Sequence, residues 1–595
     1  MKKKYNENHN KNKLLKIISL LATSFLVAAC ENNYIPEFKK VHRAPMSNEE
    51  VGVIISGISE RTMGDLLKSN PDLKVRVINP SHNLYEVYGA NEPVLTNLIN
   101  DTSIIVEKNS YIDLKYTLSK KTFAKTSTNP FAAAIEKYQR VKLDDAAMDF
   151  LKNCIPSNPE KSRFNVLANQ GRDKKNTGIL FELGQSLKLQ ATDTAIPKKS
   201  TNKFKYMWVF AAPEDSLLEP AKIFTDHAEY NPDTTGAFTY SIVAKDNSNV
   251  CSLDIQPFYV TANDVFKPES PLPDSFADRI NPETFWHVFH VGSQEGWNTA
   301  TGTGIVIGII DTGVDYNHQA LSSNIFINNR EIPANGIDDD GNGFIDDVTG
   351  YDFGLDDPYP FDDFGHGTHV AGIAASNIFG TGRKAKILPT KFGGGLGFDI
   401  ASVAGAIKYN TDMGANIINM SLGWSQKYAV MQGAMNYAEK KNVLIVVAAG
   451  NESSDNDFAP SYPSSYTNNN VISVAATDEN DALTEYSNFG QTVHIGAPGG
   501  TEQKQIISSY KKNPRQVQYV GFVGTSMASP LVAGVAAQAW SANPNLNAAQ
   551  LRQLLLDTGK LSSALTGKIL SGKVIDAKAA VKKALSTRPE SSPLL

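Results

Sequence analysis

The sequence predicts an α/β protein in which a parallel sheet flanked by helices follows two smaller units that contain β-strands. Between residues 280 and 585, continuous apolar segments such as Val443–Ala449 alternate with helical ones, as in a parallel sheet that is buried on both faces. Between 166 and 264, apolar residues recur at every second position, which predicts an antiparallel β-sandwich. Between 48 and 112, the order strand–helix–strand–strand–helix–strand predicts a ferredoxin-like α+β unit.

The composition excludes several classes of protein. Hydrophobic residues make up 41% and charged residues 20% of the 595 residues, as in globular proteins. The net charge is only −5, and no basic tail or stripe points to a nucleic-acid partner. Three cysteines are too few for a disulfide scaffold or a zinc site built mainly of thiolates. Stability must therefore come mainly from buried apolar cores.

The first 29 residues have the pattern of an export signal. Six lysines precede the apolar run Ile17–Ala29, which is too short for a membrane span of about 20 residues. The run ends in a leucine, a valine, two alanines and Cys30, which resembles the lipobox of bacterial lipoproteins. That resemblance implies lipidation of Cys30 and a membrane partner for the lipid. Ordinary secretory cleavage after Ala29 is the alternative.

Residues 30–47 are predicted to be a tether, and residues 48–112 form the ferredoxin-like unit. Its predicted elements are Val51–Ile55, the helix Glu60–Lys68, Lys74–Ile78, Leu84–Tyr88, a short helix near Pro93–Ile99, and Ile104–Glu107. Residues 113–165 are predicted to be a linker with one helix near Phe131–Leu151.

The predicted sandwich resembles an immunoglobulin-like or PKD-type module. Its strands are expected at Ile179–Leu183, Leu187–Gln190, Phe204–Phe210, Phe238–Ala244 and Cys251–Thr261. The module is interpreted as a spacer or as a substrate- or surface-binding domain. Cys154 and Cys251 flank it, and they are expected either to form a disulfide in an exported protein or to remain buried thiols.

The last region, residues 280–585, is the predicted α/β domain, and residues 586–595 form a tail. Its elements are expected at Gly304–Ile310, His369–Ser376, Ile400–Asn410, Ala415–Met420, Val430–Lys440, Val443–Ala449, Val471–Ala475, Ser529–Trp540 and Ala548–Leu556.

Four polar residues lie where elements of this domain begin or end. Asp311 and Asn451 each follow a predicted strand, whereas His366 and Ser526 each open a predicted helix. Taken singly, each has a structural explanation, since Asp, Asn and Ser often cap turns and helices. Together they supply a nucleophile, a base near neutral pKa, a carboxylate that orients the base, and an amide donor for an oxyanion.

These motifs, in this order, resemble the subtilisin family of serine peptidases. The resemblance implies that Asp311 orients His366, that His366 acts as general base and then acid, and that Ser526 attacks the substrate. Asn451 would donate to the oxyanion together with the backbone N–H of Ser526.

The same resemblance extends to three neighbouring features. Ser421, Leu422 and Gly423 match the family strand that pairs with an extended polypeptide substrate. Residues 48–112 resemble the inhibitory propeptide of this family, which implies that the propeptide is an intramolecular partner and inhibitor. About 170 residues separate it from the catalytic domain, unlike the usual arrangement. Cleavage near Asn109–Lys121 would still leave its tail in the active site. His369 is expected to be a packed helix residue instead of the base, and His318 is expected to be a local structural residue.

An acidic segment predicts a calcium site. Asp338, Asp340, Asn342 and the Phe344 carbonyl occupy positions 1, 3, 5 and 7 of an EF-hand-like loop. The twelfth position is Thr349 instead of Glu, so Asp346 or Asp347 must complete the site. A solvated acidic turn is the alternative. Similar loops in subtilisin relatives imply a structural role for calcium.

A second acidic group lies just before His366. Its members are Asp356, Asp357, Asp362 and Asp363. Three interpretations remain open: a second ion, a raised histidine pKa, or an acidic surface.

The sequence thus predicts a calcium-stabilised serine endopeptidase that acts on polypeptides and processes its own propeptide. We expect it to be exported, either as a cell-envelope lipoprotein or as a protein secreted after cleavage. One alternative is a dedicated maturation protease for a few partners. The other is a catalytically silent surface lipoprotein that binds through its sandwich.

Overall fold

The computed structural model divides the chain into two compact units, which include residues 52–106 and residues 107–589, respectively. The described residues are 52–70, 72–88, 104–113, 145–152, 155–156, 164–168, 179–182, 187–193, 205–211, 222–224, 227–230, 236–245, 250–261, 280–394, 397–513, 516 and 518–589. The predicted signal segment, Cys30, the tether and Cys154 lie outside them.

The described part of the first unit contains one helix, three strands and the first two residues of a fourth strand, whose last two residues belong to the second unit. They are β1 (Val53–Ser56), α1 (Glu60–Ser69), β2 (Lys74–Asn79), β3 (Leu84–Tyr88) and β4 (Ile105–Lys108). The sheet order is β2-β3-β1-β4, so the first strand lies between the third and the fourth. Met63 and Leu67 of α1 pack with Ile55 and Val75 in an apolar core. The second helix, predicted near Pro93–Ile99, lies outside the described residues.

The second unit begins with an extended segment and a two-sheet region. Its elements are β5 (Tyr111–Asp113), α2 (Asp145–Leu151), β6 (Ile155–Pro156), β7 (Phe164–Ala168), β8 (Ile179–Glu182), β9 (Leu187–Asp193), β10 (Lys205–Ala211), β11 (Lys222–Ile223), β12 (His227–Tyr230), β13 (Gly236–Lys245) and β14 (Val250–Thr261). Of the helix predicted near Phe131–Leu151, only α2 is described.

One sheet runs β11-β10-β13-β14-β6, with β8 also beside β14, and the other runs β12-β9-β7. Phe210 of the first sheet stacks on Tyr230 of the second, with ring centroids 4.5 Å apart. Two details differ from the sequence prediction. The first sheet includes parallel pairings of β14 with β6 and β8, and β6 and β7 begin before residue 166.

The remainder of the second unit is the α/β domain. Its helices are α3 (Trp286–His290), α4 (Ser293–Trp297), α5 (His366–Ala375), α6 (Ile400–Asp412), α7 (Ala429–Lys440), α8 (Thr525–Ala542), α9 (Ala548–Thr558) and α10 (Ala577–Ser586). Its strands are β15 (Val306–Asp311), β16 (Tyr351–Asp352), β17 (Lys386–Lys391), β18 (Gly393–Gly394), β19 (Gly397–Asp399), β20 (Ile417–Met420), β21 (Leu444–Ala448), β22 (Val471–Thr477), β23 (Ile495–Pro498), β24 (Ile506–Ser509), β25 (Tyr519–Phe522), β26 (Lys560–Leu561) and β27 (Lys573–Val574).

Nine strands form the main sheet in the order β16-β17-β15-β20-β21-β22-β23-β27-β26. All neighbouring strands are parallel except β26 and β27, and every residue of β20 to β23 is buried. The almost wholly buried α8 contacts all four of these strands. This confirms the parallel α/β domain that the continuous apolar segments predict.

The sequence patterns do not reveal β17, because Pro389 lies inside it and Pro cannot donate to a strand ladder. The structure tolerates this proline because its outer neighbour, β16, is only two residues long and pairs beyond Pro389, with Thr390 and Lys391. Among the residues that the structure describes, no helix combines the length and the apolar character needed to cross a bilayer.

Candidate active site

The end of β15 and the start of α5 bring Asp311 and His366 together. His366 is the first residue of α5, and its Nδ1 lies 2.7 Å from Oδ1 of Asp311. The backbone N–H of Thr312 also donates to Oδ1, at 2.8 Å. Oδ2 of Asp311, which is buried, has no hydrogen-bond partner within the described ranges. The carboxylate is therefore committed to the imidazole and to the end of its own strand.

The environment of His366 favours its protonated form. Burial lowers the pKa of the ring, but the charge and hydrogen bond of Asp311 outweigh burial, and the charge of Asp362 adds to them, so the pKa is raised. These neighbours stabilise the imidazolium that forms when His366 accepts a proton.

Ser526 lies in the first turn of α8, where the unpaired N–H groups of the helix create a positive environment. Its hydroxyl donates to the carbonyl of Ser421, with the two oxygens 3.3 Å apart, and does not bond to His366. The Ser421 hydroxyl in turn donates to the Ser526 carbonyl at 2.9 Å and lies 3.0 Å from the Ser529 hydroxyl. Ser421 therefore holds the nucleophile in place through hydrogen bonds to its hydroxyl and its carbonyl.

Asn451 follows β21 and is oriented by the start of α8. Its side-chain oxygen accepts hydrogen bonds from both the N–H and the hydroxyl of Thr525, each at 2.9 Å. These bonds leave the side-chain NH2 group available as a donor. A methyl group placed on Gly524 would lie 3.6 Å from both Asn451 Nδ2 and the backbone nitrogen of Ser526. Two nitrogens that can donate hydrogen bonds therefore lie near the same point beside the serine, and an oxyanion requires donors of this kind.

Two extended segments border this centre. Ser421, Leu422 and Gly423 follow β20, and Trp424 next to them exchanges backbone hydrogen bonds with Tyr462. The ring of Trp424 lies 6.1 Å from that of Phe398 in β19, and β5 pairs antiparallel with β19, so that Ile112 lies opposite Phe398. The edge of β19 can thus hold an extended polypeptide through its main chain.

The chain just before β5 is fixed to the starts of two helices. Glu107 accepts hydrogen bonds from the N–H groups of Ala429 and Val430 at 3.0 and 2.7 Å, at the beginning of α7. Asn109 is buried, donates to Asp399, the N-cap of α6, at 2.9 Å, and accepts a bond from the Ala401 N–H at 3.3 Å. Polar side chains at helix N-termini stabilise the unpaired N–H groups there.

His369 and His318 are packed, as expected. His369 is buried on α5, and its Nε2 lies 3.1 Å from the carbonyls of Ile506 and Val520. His318 contacts the carbonyl of Gln518 through Nε2 and accepts the N–H of Ala320 through Nδ1. Burial lowers the pKa of His369 to about 3 and that of His318 to about 4, so both are neutral near pH 7.

The acidic loop brings Asp340 and Asp347 together with Glu331, which the sequence motif does not include. One oxygen from each of these three carboxylates lies within 4.8 Å of the others. Burial raises the pKa of Asp347 to about 7, although Tyr409, Asn342 and Asn328 donate hydrogen bonds to it. Carboxylate oxygens are the ligands that calcium takes in proteins, and three of them converge here, so these residues fit calcium.

The other predicted ligands are placed differently. Asp338 accepts hydrogen bonds from the N–H groups of Gly341, Asn342 and Gly343, and Asp346 accepts them from Asn335 and Gly336. Among the described residues, Asp338 and Asp346 are not part of the three-carboxylate group. Phe344 is buried and its ring packs edge-on against Tyr351 and Tyr409, which anchors the loop.

One member of the second acidic group, Asp363, pairs with an internal cation. Lys391, at the end of β17, is 3% exposed, and its ammonium lies 2.8 Å from Asp363 and 3.3 Å from Asp352. Burial lowers the pKa of Lys391, but the charges of Asp352 and Asp363 outweigh it and keep the amine protonated. Asp356 accepts a hydrogen bond from the Tyr351 hydroxyl at 2.9 Å. An ammonium therefore lies beside this group, where one interpretation of the sequence expects a second metal ion.

Comparisons with known proteins agree with this architecture. The family model described as Subtilase family (Peptidase_S8) matches residues 302–580. Thermitase of Thermoactinomyces vulgaris is 37% identical over a 253-residue alignment, which covers 41% of this chain and 78% of thermitase. A thermophilic serine proteinase of Bacillus sp. (strain AK1) is 35% identical over 46% of this chain and 63% of its own length. An extracellular protease of Xanthomonas campestris pv. campestris is 35% identical over 49% of this chain and 54% of its own length.

The fold and the family match define a serine endopeptidase of the subtilisin-like class. More particularly, the chain belongs to the subtilase family. The family match begins at residue 302, so the first unit and the two-sheet region lie outside it.

Three residues of the site are not evident from the sequence pattern, or have no evident role in it. Glu331 lies seven residues before the acidic motif, and Lys391 ends a strand that Pro389 hides. Asp362 is one of four similar aspartates, and nothing in the sequence separates it from Asp363. All three act through tertiary contacts, which leave no local pattern.

Proposed function

We propose that this subtilase cleaves polypeptides with Ser526 as nucleophile, His366 as general base and then acid, and Asp311 as the group that orients His366. The 2.7 Å bond between Asp311 and His366 is the observation that carries the proposal. A serine in the first turn of α8, with two N–H donors beside it, completes the constellation that acyl transfer requires.

The reaction follows from these positions. When substrate binds, the Ser526 hydroxyl leaves the Ser421 carbonyl and turns to Nε2 of His366, which takes its proton as the oxygen attacks the scissile carbonyl carbon. Asn451 and the Ser526 N–H donate to the resulting oxyanion. His366 then gives the proton to the leaving amine, and the acyl-enzyme forms. Water, deprotonated by His366, hydrolyses it and restores the serine.

The substrate we propose is an extended polypeptide that adds to the edge of β19 and passes residues 421–423. The pairing of β5 with this edge supports that assignment, because β5 is itself an extended segment of the chain. Recognition through the main chain favours unfolded or loop segments of many sequences. A dedicated maturation protease with few partners remains the second candidate within the enzymes.

We further propose that residues 48–112 act as an inhibitory propeptide that the enzyme removes itself, with cleavage near Asn109–Lys121. The hydrogen bonds of Glu107 and Asn109 to the starts of α7 and α6 support this, because they fix the segment that leads into β5. The fixed segment occupies the edge that a substrate needs. Cleavage after it would free that edge once the segment dissociates.

We propose that calcium binds at Asp340, Asp347 and Glu331, with Asn342 and the Phe344 carbonyl nearby on the same loop. Calcium here would supply structural charge compensation. The buried carboxylates of the loop could then stay ionised while Tyr409 and Asn328 hold Asp347 in place.

We propose export for this chain, with lipid attachment at Cys30 or secretion after cleavage. The lysine-rich start and the short apolar run of the sequence support this, as do relatives named as extracellular proteases. Removal of the propeptide would also separate the catalytic domain from a lipid at Cys30.

The decisive experiment labels the exported protein with a fluorophosphonate probe in calcium and measures the intact mass. We expect one probe adduct on a wild-type chain that starts near residues 110–121, and neither adduct nor trimming in Ser526→Ala. Ser586→Ala, an exposed serine at the end of α10, is the matched control and should behave as wild type. An unlabelled wild type that still binds polypeptide would instead support the silent lipoprotein.

The self-processing proposal has its own test. Glu107→Gln keeps the shape of the side chain but removes the charge at the start of α7, which is worth about 0.3–1 kcal/mol at a helix N-terminus. We expect peptidase activity to appear about two- to fivefold earlier after secretion, because the released segment dissociates sooner. Lys108→Gln, the exposed neighbour, is the control. A fully active protein that keeps Cys30 and the catalytic domain in one chain would contradict the proposal.

A further inference from the structure

Asp362 is a buried carboxylate that precedes His366 by four residues and has no role in the proposed reaction. Five hydrogen bonds end on it. Oδ1 accepts the Thr312 hydroxyl at 2.9 Å and the N–H groups of Phe364 and Gly365 at 2.9 and 2.7 Å. Oδ2 accepts the N–H and the hydroxyl of Thr368 at 2.8 and 2.6 Å.

The donors come from both halves of the acid–base pair. Thr312 follows Asp311 at the end of β15, and its N–H holds Oδ1 of Asp311. The other donors flank His366 at the start of α5. The Thr312 hydroxyl also accepts the N–H of Gly367 at 3.0 Å, which ties the strand directly to the helix. Asp362 is thus the point at which the strand end and the helix start are joined.

We infer that Asp362 is a positioning residue, which fixes Asp311 and His366 relative to each other and places a carboxylate near the imidazolium that forms during the reaction. This inference rests on the proposed function, since it assigns a role within the same site. Such support matters for rate, because a misplacement of about 1 Å in an active site can cost about 100-fold.

Asp362 is one of a few groups that affect the pKa of His366. Asp311 on β15 raises the pKa of His366, and burial of the ring opposes it. His369 on the same helix is neutral near pH 7, because burial lowers its pKa to about 3. Asp363, which follows Asp362 in the chain, forms an ion pair with Lys391. Asp362 and Asp311 are therefore the two negative charges that act on the ring.

Asp363 provides a matched contrast to Asp362. It is the next residue in the chain, and it is also almost completely buried. Its carboxylate lies 2.8 Å from the ammonium of Lys391, whereas the hydroxyl of Thr312 and both donors of Thr368 bond to Asp362. Removing either charge costs stability, but the bonds that join the strand end to the helix start are those of Asp362.

The experiment compares Asp362→Asn with Asp363→Asn in the mature protein with calcium. Active enzyme is first counted by fluorophosphonate labelling, and kcat, KM and the pH profile of kcat/KM are then measured on a peptide substrate. An amide at position 362 can accept only some of the five hydrogen bonds. We expect kcat to fall about 10- to 100-fold at an almost unchanged KM.

The pH profile separates positioning from a purely structural role. Loss of the negative charge lowers the pKa of His366, so the acidic limb of kcat/KM should move to lower pH by about half a unit or more. Asp363→Asn should keep the acidic limb of wild type. If both variants lose only thermal stability, with kcat and the acidic limb unchanged, the inference is wrong.

Thr312→Val covers the case in which Asp362→Asn does not fold. It removes the hydroxyl that links Asp362 to the Gly367 N–H at nearly constant shape, and we expect about a tenfold lower kcat that Thr312→Ser restores. An unchanged kcat in Thr312→Val would overturn the inference. A wild type that the fluorophosphonate does not label would overturn the proposed function itself, and this inference with it.

Discussion

Two acidic loops of the catalytic domain contain buried carboxylates, and they balance the negative charge in different ways. The loop of residues 352–363 has a side-chain cation as its partner, because the ammonium of Lys391 lies between Asp352 and Asp363. Residues 331–347 gather Glu331, Asp340 and Asp347. There, Arg330 reaches only Asp340, at 2.9 Å, through a side chain that is 60% exposed.

The difference explains why one loop is expected to need calcium and the other is not. A buried carboxylate requires either a counter-charge or enough donors, and otherwise its neutral form is favoured. Asp362 shows the second possibility, since it accepts five hydrogen bonds and so has enough donors. Composition alone does not distinguish these cases, because both loops are rich in aspartate.

The strongest test of the comparison removes the internal cation. Lys391→Met keeps most of the length of the side chain but leaves Asp352 and Asp363 buried without their partner. Breaking a buried ion pair on one side costs about 3–5 kcal/mol. We expect the free energy of unfolding of the Ser526→Ala protein, measured in urea, to fall by about this amount.

Calcium should not rescue this variant, because methionine fills most of the space of the lysine side chain and leaves too little room for an ion between the two aspartates. Lys386→Met is the control, since Lys386 begins the same strand but bonds only to the carbonyl of Ser323 with a side chain at the surface. Stability of Lys391→Met within about 1 kcal/mol of wild type would mean that the two aspartates are protonated in the fold.

The second test removes calcium from the other loop. At a calcium concentration about 100 times the dissociation constant, binding stabilises a protein by about 2.7 kcal/mol. We therefore expect EDTA to lower the thermal midpoint of the Ser526→Ala protein by several degrees, and Asp347→Asn to abolish this dependence on calcium. Calorimetry with and without EDTA measures both.

Asp339→Asn is the matched control for the calcium test. Asp339 lies in the same loop, but it is exposed and accepts bonds from Ile332 and Asn335. Its replacement should leave the effect of EDTA as large as in wild type. An equal response of Asp347→Asn and wild type to EDTA would show that calcium binds elsewhere or not at all.

The sequence predicted the parts of this molecule that depend on local pattern. The strands around the centre of the sheet are continuous apolar runs. Asp311 and Asn451 follow strands of this kind, and His366 and Ser526 open helices. Local pattern is therefore enough to predict these strands and these four candidate residues. The pairing of β17 could not be found in this way, because Pro389 breaks the strand pattern and only the short neighbour β16 makes it acceptable.

The supporting residues were beyond prediction for a different reason. Asp362 and Asp363 are adjacent and chemically identical in the sequence, yet one accepts bonds from Thr312 and α5 and the other pairs with Lys391. Which partner each finds depends on how β15, β17 and α5 meet. Likewise, Glu331 joins the acidic loop only because the fold brings it back to Asp340.

The smallest expected effect extends the comparison to buried groups that have no counter-charge. His287 on α3 is fully buried, and neither ring nitrogen has a partner among the residues described. Burial lowers its pKa from 6.5 to about 3. Between these values the unfolded chain binds a proton that the folded chain does not. Its contribution to stability is therefore complete above pH 6.5 and is lost as the pH falls toward 3.

We expect the acid sensitivity of the Ser526→Ala protein to decrease in His287→Leu. Between pH 6.5 and 5, one such histidine accounts for a loss of about 2 kcal/mol, because each pH unit costs up to about 1.4 kcal/mol per proton. Urea unfolding at both pH values should therefore show a drop that is smaller by about this amount in the variant. His369, also neutral through burial, stays in both proteins and accounts for part of the remaining drop. An equal drop in both proteins would mean that, in solution, a hydrogen-bond acceptor stabilises the protonated ring of His287. The contrast with Asp352 and Asp363 would then fail, since every buried ionisable group in the comparison would have a partner.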